Sequence, residues 1–189
     1  MKNALKSAVM IGFDLIFLDS YFIENVASEN QFNKIIKQNL DKLGKIEGVE
    51  YHHLTMNVEG RGAELTKYIK SSPDLPSGKC PVPFWIEGDL ENPKTIEIDR
   101  EGNITLCLGI CIGNTTNQPL TQIIQDYDIE KHPVLSVIWR QGPIGLLQIA
   151  KKQGFQVNQK FVNECHLCYE LRKYLQPRYP LFLAPKHCY

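Results

Sequence analysis

Six cysteines, at positions 80, 107, 111, 165, 168 and 188, are the residues of this 189-residue chain best equipped for chemistry. Cys165-His166-Leu167-Cys168 sets two thiols three residues apart. At that spacing both can grip one metal from a turn or from the first turn of a helix, where backbone N–H groups favour the thiolate. A structural metal or cluster takes further ligands from elsewhere in the chain, and Cys80 and Cys107 lie where a second pair can converge. Cys111 and Cys188 read instead as small buried hydrophobes. Cys107 and Cys111 project from one face of a single expected strand. Four residues at about 3.3 Å each separate their Cα atoms by about 13 Å, so only one reaches a shared centre unless the strand bends at Gly109. A thioredoxin-type CxxC follows an early strand of a βαβ unit, whereas this one sits near the carboxyl end.

The other polar candidates carry less. His52-His53 falls in an expected strand, so its two side chains point to opposite faces and do not share a metal. His166 reads as a neighbour that tunes the CxxC rather than a ligand. Glu59, Arg61 and Glu64 either shape a pocket or form surface ion pairs. Gly60-Arg61-Gly62 makes a strand-to-helix connection and is no dinucleotide fingerprint, because GxGxxG is incomplete. Trp85 and Trp139 read as core.

These side chains must be positioned by a globular fold. Hydrophobic residues make up 43% and charged residues 22%, and 21 Lys+Arg balance 21 Asp+Glu. That balance excludes a disordered chain and gives no uncompensated basic footprint for nucleic acid. Asp14 and Asp19 interrupt the longest apolar stretch, so no membrane span is expected. The same stretch lacks a cleavage site, which argues against a signal peptide and for the reducing cytoplasm, where cysteines serve as thiols or metal ligands rather than as disulfides.

Along the chain, residues 15–18 read as a short buried strand. Ser28 and Gln31 have capping-box spacing, and apolar residues recur at Phe32, Ile35, Ile36, Leu40 and Leu43, which predicts a helix over 29–43 ending at Gly44. A strand is expected over 49–58 and a helix over 63–69, the order of an α/β layer with parallel strands joined by crossover helices. A turn-rich stretch from Ser72 to Gly78 divides the chain into 1–72 and 73–189. Beyond it, 95–98 and 104–112 alternate as two strands of a hairpin. Helices are expected over 120–127, 134–139, 144–152 and 165–175, before a tail rich in Pro and Tyr that wraps the lobe.

The residues from 80 to 175 carry a resemblance. Gly102-Asn-Ile-Thr-Leu-Cys107 is a Gly-x4-Cys element, preceded by Cys80 and followed by Cys165-x-x-Cys168. With Ile98-Asp99-x-x-Gly102-Asn103 and Gly109-Ile110-Cys111-Ile112-Gly113-Asn114, it resembles the auxiliary-cluster region, of SPASM or twitch type, at the carboxyl end of radical S-adenosylmethionine (radical SAM) proteins. The resemblance implies a [4Fe-4S] cluster held by Cys80, Cys107, Cys165 and Cys168, serving to position a peptide or small-molecule substrate or to exchange electrons with it. Zinc on the same four cysteines of a non-catalytic domain is the competing reading. Residues 1–70 look similar to the later part of the radical SAM barrel, which implies that Gly60, Arg61 and Glu64 lie near the SAM position. The fold implied is a partial (β/α) barrel-like half followed by a small α+β lobe with a β-hairpin and carboxyl-terminal helices. The sequence contains no Cys-x3-Cys-x2-Cys, the triad whose cluster cleaves SAM. The resemblance therefore implies a carboxyl-terminal portion that cannot cleave SAM by itself, the product of a split gene, a later start codon or truncation, for which a partner polypeptide is one source of the missing half.

Overall fold

A computed structural model describes residues 1–10, 16–22, 29–55, 60–69, 71, 74–80 and 88–189. The chain divides into two compact units. One comprises Met1–Asn57 and Leu65–Lys70, the other Val58–Glu64 and Ser71–Tyr189. The Gly60 to Glu64 turn, which precedes the division expected near residue 72, groups with the second unit.

In the first unit α1 (Lys2–Met10) precedes β1 (Ile16–Phe22), α2 (Gln31–Leu43) and β2 (Val49–Thr55). β1 pairs in parallel with β2, Ile16 opposite Val49 through Phe22 opposite Thr55, with α2 as the intervening helix. This is a β-α-β arrangement, and the described residues extend it no further toward a barrel. α2 starts two residues later than its periodicity suggested. Its cap is Asn30, whose side chain accepts from Asn33 N at 2.8 Å, while Ser28 lies outside the described residues. Leu43, Ile46 and Val49 form a small core with Leu5, Val9, Ile16, Leu18 and Tyr51 around it. Tyr51 Oη donates to Gly44 O at 2.9 Å and accepts from Ile46 N at 3.2 Å, tying the end of α2 to β2. The expected helix over 63–69 is a 3-10 helix spanning Gly60–Tyr68.

The second unit holds a three-stranded antiparallel sheet, β3 (Glu97–Ile98), β4 (Asn103–Cys107) and β5 (Ile110–Asn114), followed by α3 (Leu120–Asp126), α4 (Leu135–Lys152) and α5 (Glu164–Leu175). The single strand expected over 104–112 is two strands, because the chain reverses at Leu108-Gly109. Gly109 has φ +74°, and a Cβ there would stand 2.6 Å from Tyr189 Oη, so the turn requires glycine on both counts. The hairpin register also shifts between Thr105 and Cys107, where two steps on β4 oppose one on β5, a bulge that re-aims side chains. α4 is interrupted at Gly142-Pro143, as the separate helical readings of 134–139 and 144–152 anticipated. Ile104, Leu106, Leu135, Ile138, Leu146, Leu167, Leu171, Leu175 and Leu183 are essentially inaccessible. The tail closes over them where Cys111 N donates to Phe182 O, and Tyr174 Oη of α5 donates to Gln153 O at the end of α4.

One polar anchor in this core escaped the sequence. His132 is 5% exposed, and its Nδ1 accepts from Val134 N and Leu135 N at 3.2 and 3.0 Å, capping α4. Nε2 therefore carries the proton and donates to Cys111 O at 3.1 Å, joining the helix to β5. Burial depresses its pKa to about 4. An unfolded histidine titrates near 6.5, so between about 4 and 6.5 the unfolded chain binds the extra proton and stability rises with pH. This contribution is complete above pH 6.5 and is lost as pH falls toward 4. Urea unfolding is expected to give a native protein about 2–3 kcal/mol less stable at pH 4.5 than at pH 7 from this group alone. His132→Gln should flatten that part of the profile; parallel profiles for the two proteins would remove His132 as its origin.

Candidate metal centre

α5 carries the CxxC, and its start is built locally. Asn163 adopts an extended conformation and its side chain accepts from His166 N at 3.0 Å, an N-cap that places Cys165 in the first turn and Cys168 one turn further on. Both thiols thus occupy one helix face near the positive end of the helix dipole, where thiolate is stabilised. His166 faces elsewhere. It is 4% exposed, its Nδ1 accepts from Val162 N, and its ring meets Phe161 edge-on at 5.4 Å, so it serves the core as a satisfied histidine. Asn163→Ala is expected to lower stability by about 1 kcal/mol, read in chemical denaturation, as the first turn of α5 loses its cap. An unchanged midpoint would show that core packing alone fixes Cys165.

The hairpin brings a third thiol. Cys107 ends β4 opposite Ile110, and both line a cavity together with Cys165, Cys168 and Cys80. Cys111, one residue beyond Ile110, is absent from that wall; it is buried and its thiol donates to Gly113 O at 3.1 Å. Burial pushes its pKa up, which keeps it a thiol. The reversal at Gly109, rather than a bend within one strand, is therefore what separates the two cysteines.

Cys80 arrives on a segment docked against two helices. Gly78 N donates to Glu164 Oε1 at 3.1 Å, and Gly78 O packs so closely on Gly142 that a Cβ there would lie 2.6 Å away. The break in α4 and the first residue of α5 together fix the approach of Cys80. The residues that follow, 81–87, lie outside the described set, and Trp85 with them.

The four cysteines named from the resemblance thus line one cavity, whose remaining walls are Leu90, Ile110, Leu135, Ile138, Pro143, Glu164 and Arg172. Its volume is about 30 Å³. Treated as a sphere, that space lets the centres of water-sized atoms range over about 4 Å. Among the described residues no three His, Cys, Asp or Glu side chains are gathered tightly enough to hold a single metal ion. No disulfide is formed among the six cysteines.

No family model, curated protein or solved structure matches this chain. The radical SAM resemblance accordingly rests on the quoted motifs alone.

The remaining candidates divide. Gly60 and Glu64 line a separate cleft of about 330 Å³ in the second unit with Tyr169, Glu170, Lys173, His187 and Tyr189, and Glu64 is exposed there. The side chain of Arg61, and all of Glu59, lie outside the described residues. His52 and His53 alternate along β2, His52 lying 3.7 Å from Glu50, so they do not form a joint site. Trp139 packs against the main core. Sequence reasoning missed Arg172, which is 1% exposed and reaches the cavity wall. The available signal was its place four residues after Cys168 and seven after Cys165, which puts it on their face of α5.

Proposed function

We propose that the second unit is an iron–sulfur domain in which Cys80, Cys107, Cys165 and Cys168 hold a [4Fe-4S] cluster of the auxiliary type. The observation that carries this reading is the convergence of these four cysteines, from three separate parts of the chain, on one cavity. A single tetrahedral zinc with bonds of about 2.3 Å would draw its four sulfurs to within about 4 Å of one another. A cube whose edges are metal–sulfur bonds of that length spans about 4 Å between opposite nuclei, the range the cavity offers, and leaves its thiolates further apart. The donor set suits both groups, and the span of the cavity favours the larger one.

When bound, such a cluster would supply one-electron chemistry. The chain's own residues do the rest. α5 presents two thiolates from its first turns, the Gly109 reversal aims Cys107, and the Gly78 to Glu164 contact holds Cys80. Leu90, Leu135 and Ile138 exclude water, which protects iron–sulfur bonds from hydrolysis. In the wider frame the domain assists a SAM-cleaving centre, acting on a peptide or small molecule in a reducing compartment. The described residues include no helix long and apolar enough to cross a membrane.

Anaerobic purification with visible absorbance and metal and sulfide analysis tests the reading. It expects a brown protein with iron and acid-labile sulfide in equal amounts. A colourless protein with one zinc and no sulfide would establish the zinc-stabilised domain instead.

A further inference from the structure

One loop of the second unit reaches the sulfur cavity with a single side chain. Residues 88–95 are exposed apart from half-buried Pro93 and from Leu90, which is 4% exposed, packs into the main core and lines the cavity beside the cysteines. The loop around that leucine is closed on itself. Asp89 Oδ1 accepts from Glu91 N at 2.9 Å and from Asn92 N at 2.7 Å, Gly88 bridges to Pro93 across the base, and Gly88 has φ +93°, where a Cβ would meet Asn92 O at 2.5 Å. Such a turn keeps its shape when it moves.

A phenol fastens the loop from outside. Tyr127 Oη donates to Leu90 O, and Tyr127 is itself held in place: it ends α3, where its N donates to Ile124 O at 3.4 Å, and Asp128 after it caps the 3-10 turn Ile129–Lys131, whose Ile129 is buried. Burial, with the carboxylates of Asp89, Asp128 and Glu91 around it, pushes the Tyr127 pKa up to about 12. The hydroxyl therefore keeps its proton and remains a donor.

We propose that residues 88–93 form a lid on the sulfur cavity, with Leu90 as its plug and the Tyr127 hydroxyl as its latch, and that this lid is the route by which a metal or a reagent reaches Cys168. Opening withdraws one leucine side chain and breaks one hydrogen bond, so it costs far less than unfolding the core that Leu90 leaves behind. Asp89 and Glu91, on either side of the plug, already face water. Tyr127 is thus a positioning residue that acts through Leu90. Cys168 reports on the lid best, because at 9% exposure it is the buried member of the four cysteines, the other three being half-buried. The lid stands whichever metal the cavity takes; its part in cluster retention rests on the iron–sulfur reading above.

The test is thiol labelling of the metal-free full chain with iodoacetamide, kept below one adduct per molecule and resolved by residue with mass spectrometry, for the wild type and Tyr127→Phe in low urea. In the wild type Cys168 is expected to label at a rate that low urea leaves unchanged, as a local opening does, whereas Cys111, buried off the cavity wall, labels through unfolding and accelerates steeply. Tyr127→Phe keeps the ring, removes the latch and should raise the urea-independent rate at Cys168 about tenfold. If Cys168 is reached by any other opening, the latch survives in the open state and the variant labels at the wild-type rate. That result overturns the proposal, and so does a steep urea dependence at Cys168 in the wild type, a measurement that needs no variant. In the reconstituted protein Tyr127→Phe should release iron to a chelator about tenfold faster; equal release overturns the lid as the route to the centre. A metal-free chain in which Cys111 labels as fast as Cys168 is unfolded, and the release rates then decide. A wild type that takes up no iron and sulfide defeats the iron–sulfur reading and leaves the labelling result to judge the lid.

Discussion

Replacing Cys165 and Cys168 together by serine is expected to abolish the visible absorbance of the reconstituted protein and to remove all of the stability that the centre confers. The two residues supply half of the ligand set from one helix face, and serine hydroxyls are poor ligands for iron in a sulfide cube. A group that binds only the folded state contributes about 4 kcal/mol when its free concentration is a thousandfold above its dissociation constant, so the loaded wild type should exceed the double variant by at least that amount. Denaturant unfolding under anaerobic conditions reads the difference. Cys111→Ser is the internal comparison. Cys111 lies off the cavity wall and donates to Gly113 O, an interaction that a serine hydroxyl can reproduce, so cluster loading should persist. A domain that uses no metal predicts the opposite pattern, with the Cys165/Cys168 double variant as stable as the wild type.

Gly142→Ala is expected to cost about 4 kcal/mol and to impair cluster retention, although the residue is not a ligand. Gly142 interrupts α4 at φ +63° and ψ −165°, a region open in practice only to glycine, where a side chain adds about 1–3 kcal/mol of strain. Its Cβ would also stand 2.6 Å from Gly78 O and 3.3 Å from Lys79 Cα, an overpacking worth a further 1–3 kcal/mol or so. Relief requires the segment that bears Cys80 to retreat. The variant should therefore release iron faster to a chelator than the wild type, at pH and temperature where both are folded. Equal release rates would mean that the seating of Cys80 does not depend on the break in α4.

The parts of this molecule that were readable in its sequence are those with local causes. The period of Phe32, Ile35, Ile36, Leu40 and Leu43 announces α2, and the CxxC ahead of an apolar helix announces the start of α5. Gly142-Pro143 separates two helical stretches because proline lacks a donor and glycine alone tolerates the backbone there. Alternation over 104–112 misled, because Leu108 continues the apolar pattern through a turn and a bulge shifts the register beside it. Only Gly109 marked the reversal, and a lone glycine in a strand signals a bulge as readily as a turn. His132 and Arg172 were hidden for a different reason. Each owes its role to tertiary neighbours, Cys111 O for one and the Leu108 carbonyl with Tyr189 for the other, and isolated polar residues in a sequence read as surface. Among the cysteines, spacing alone left Cys107 and Cys111 open, and the hairpin geometry separates them.

Anomalous diffraction at the iron absorption edge from anaerobically grown crystals of the reconstituted chain tests the central claim most directly. The account expects iron density inside the cavity between β4 and α5, with the sulfurs of residues 80, 107, 165 and 168 each bonded to it. Iron located elsewhere, or an empty cavity whose four sulfurs have no metal between them, would contradict it.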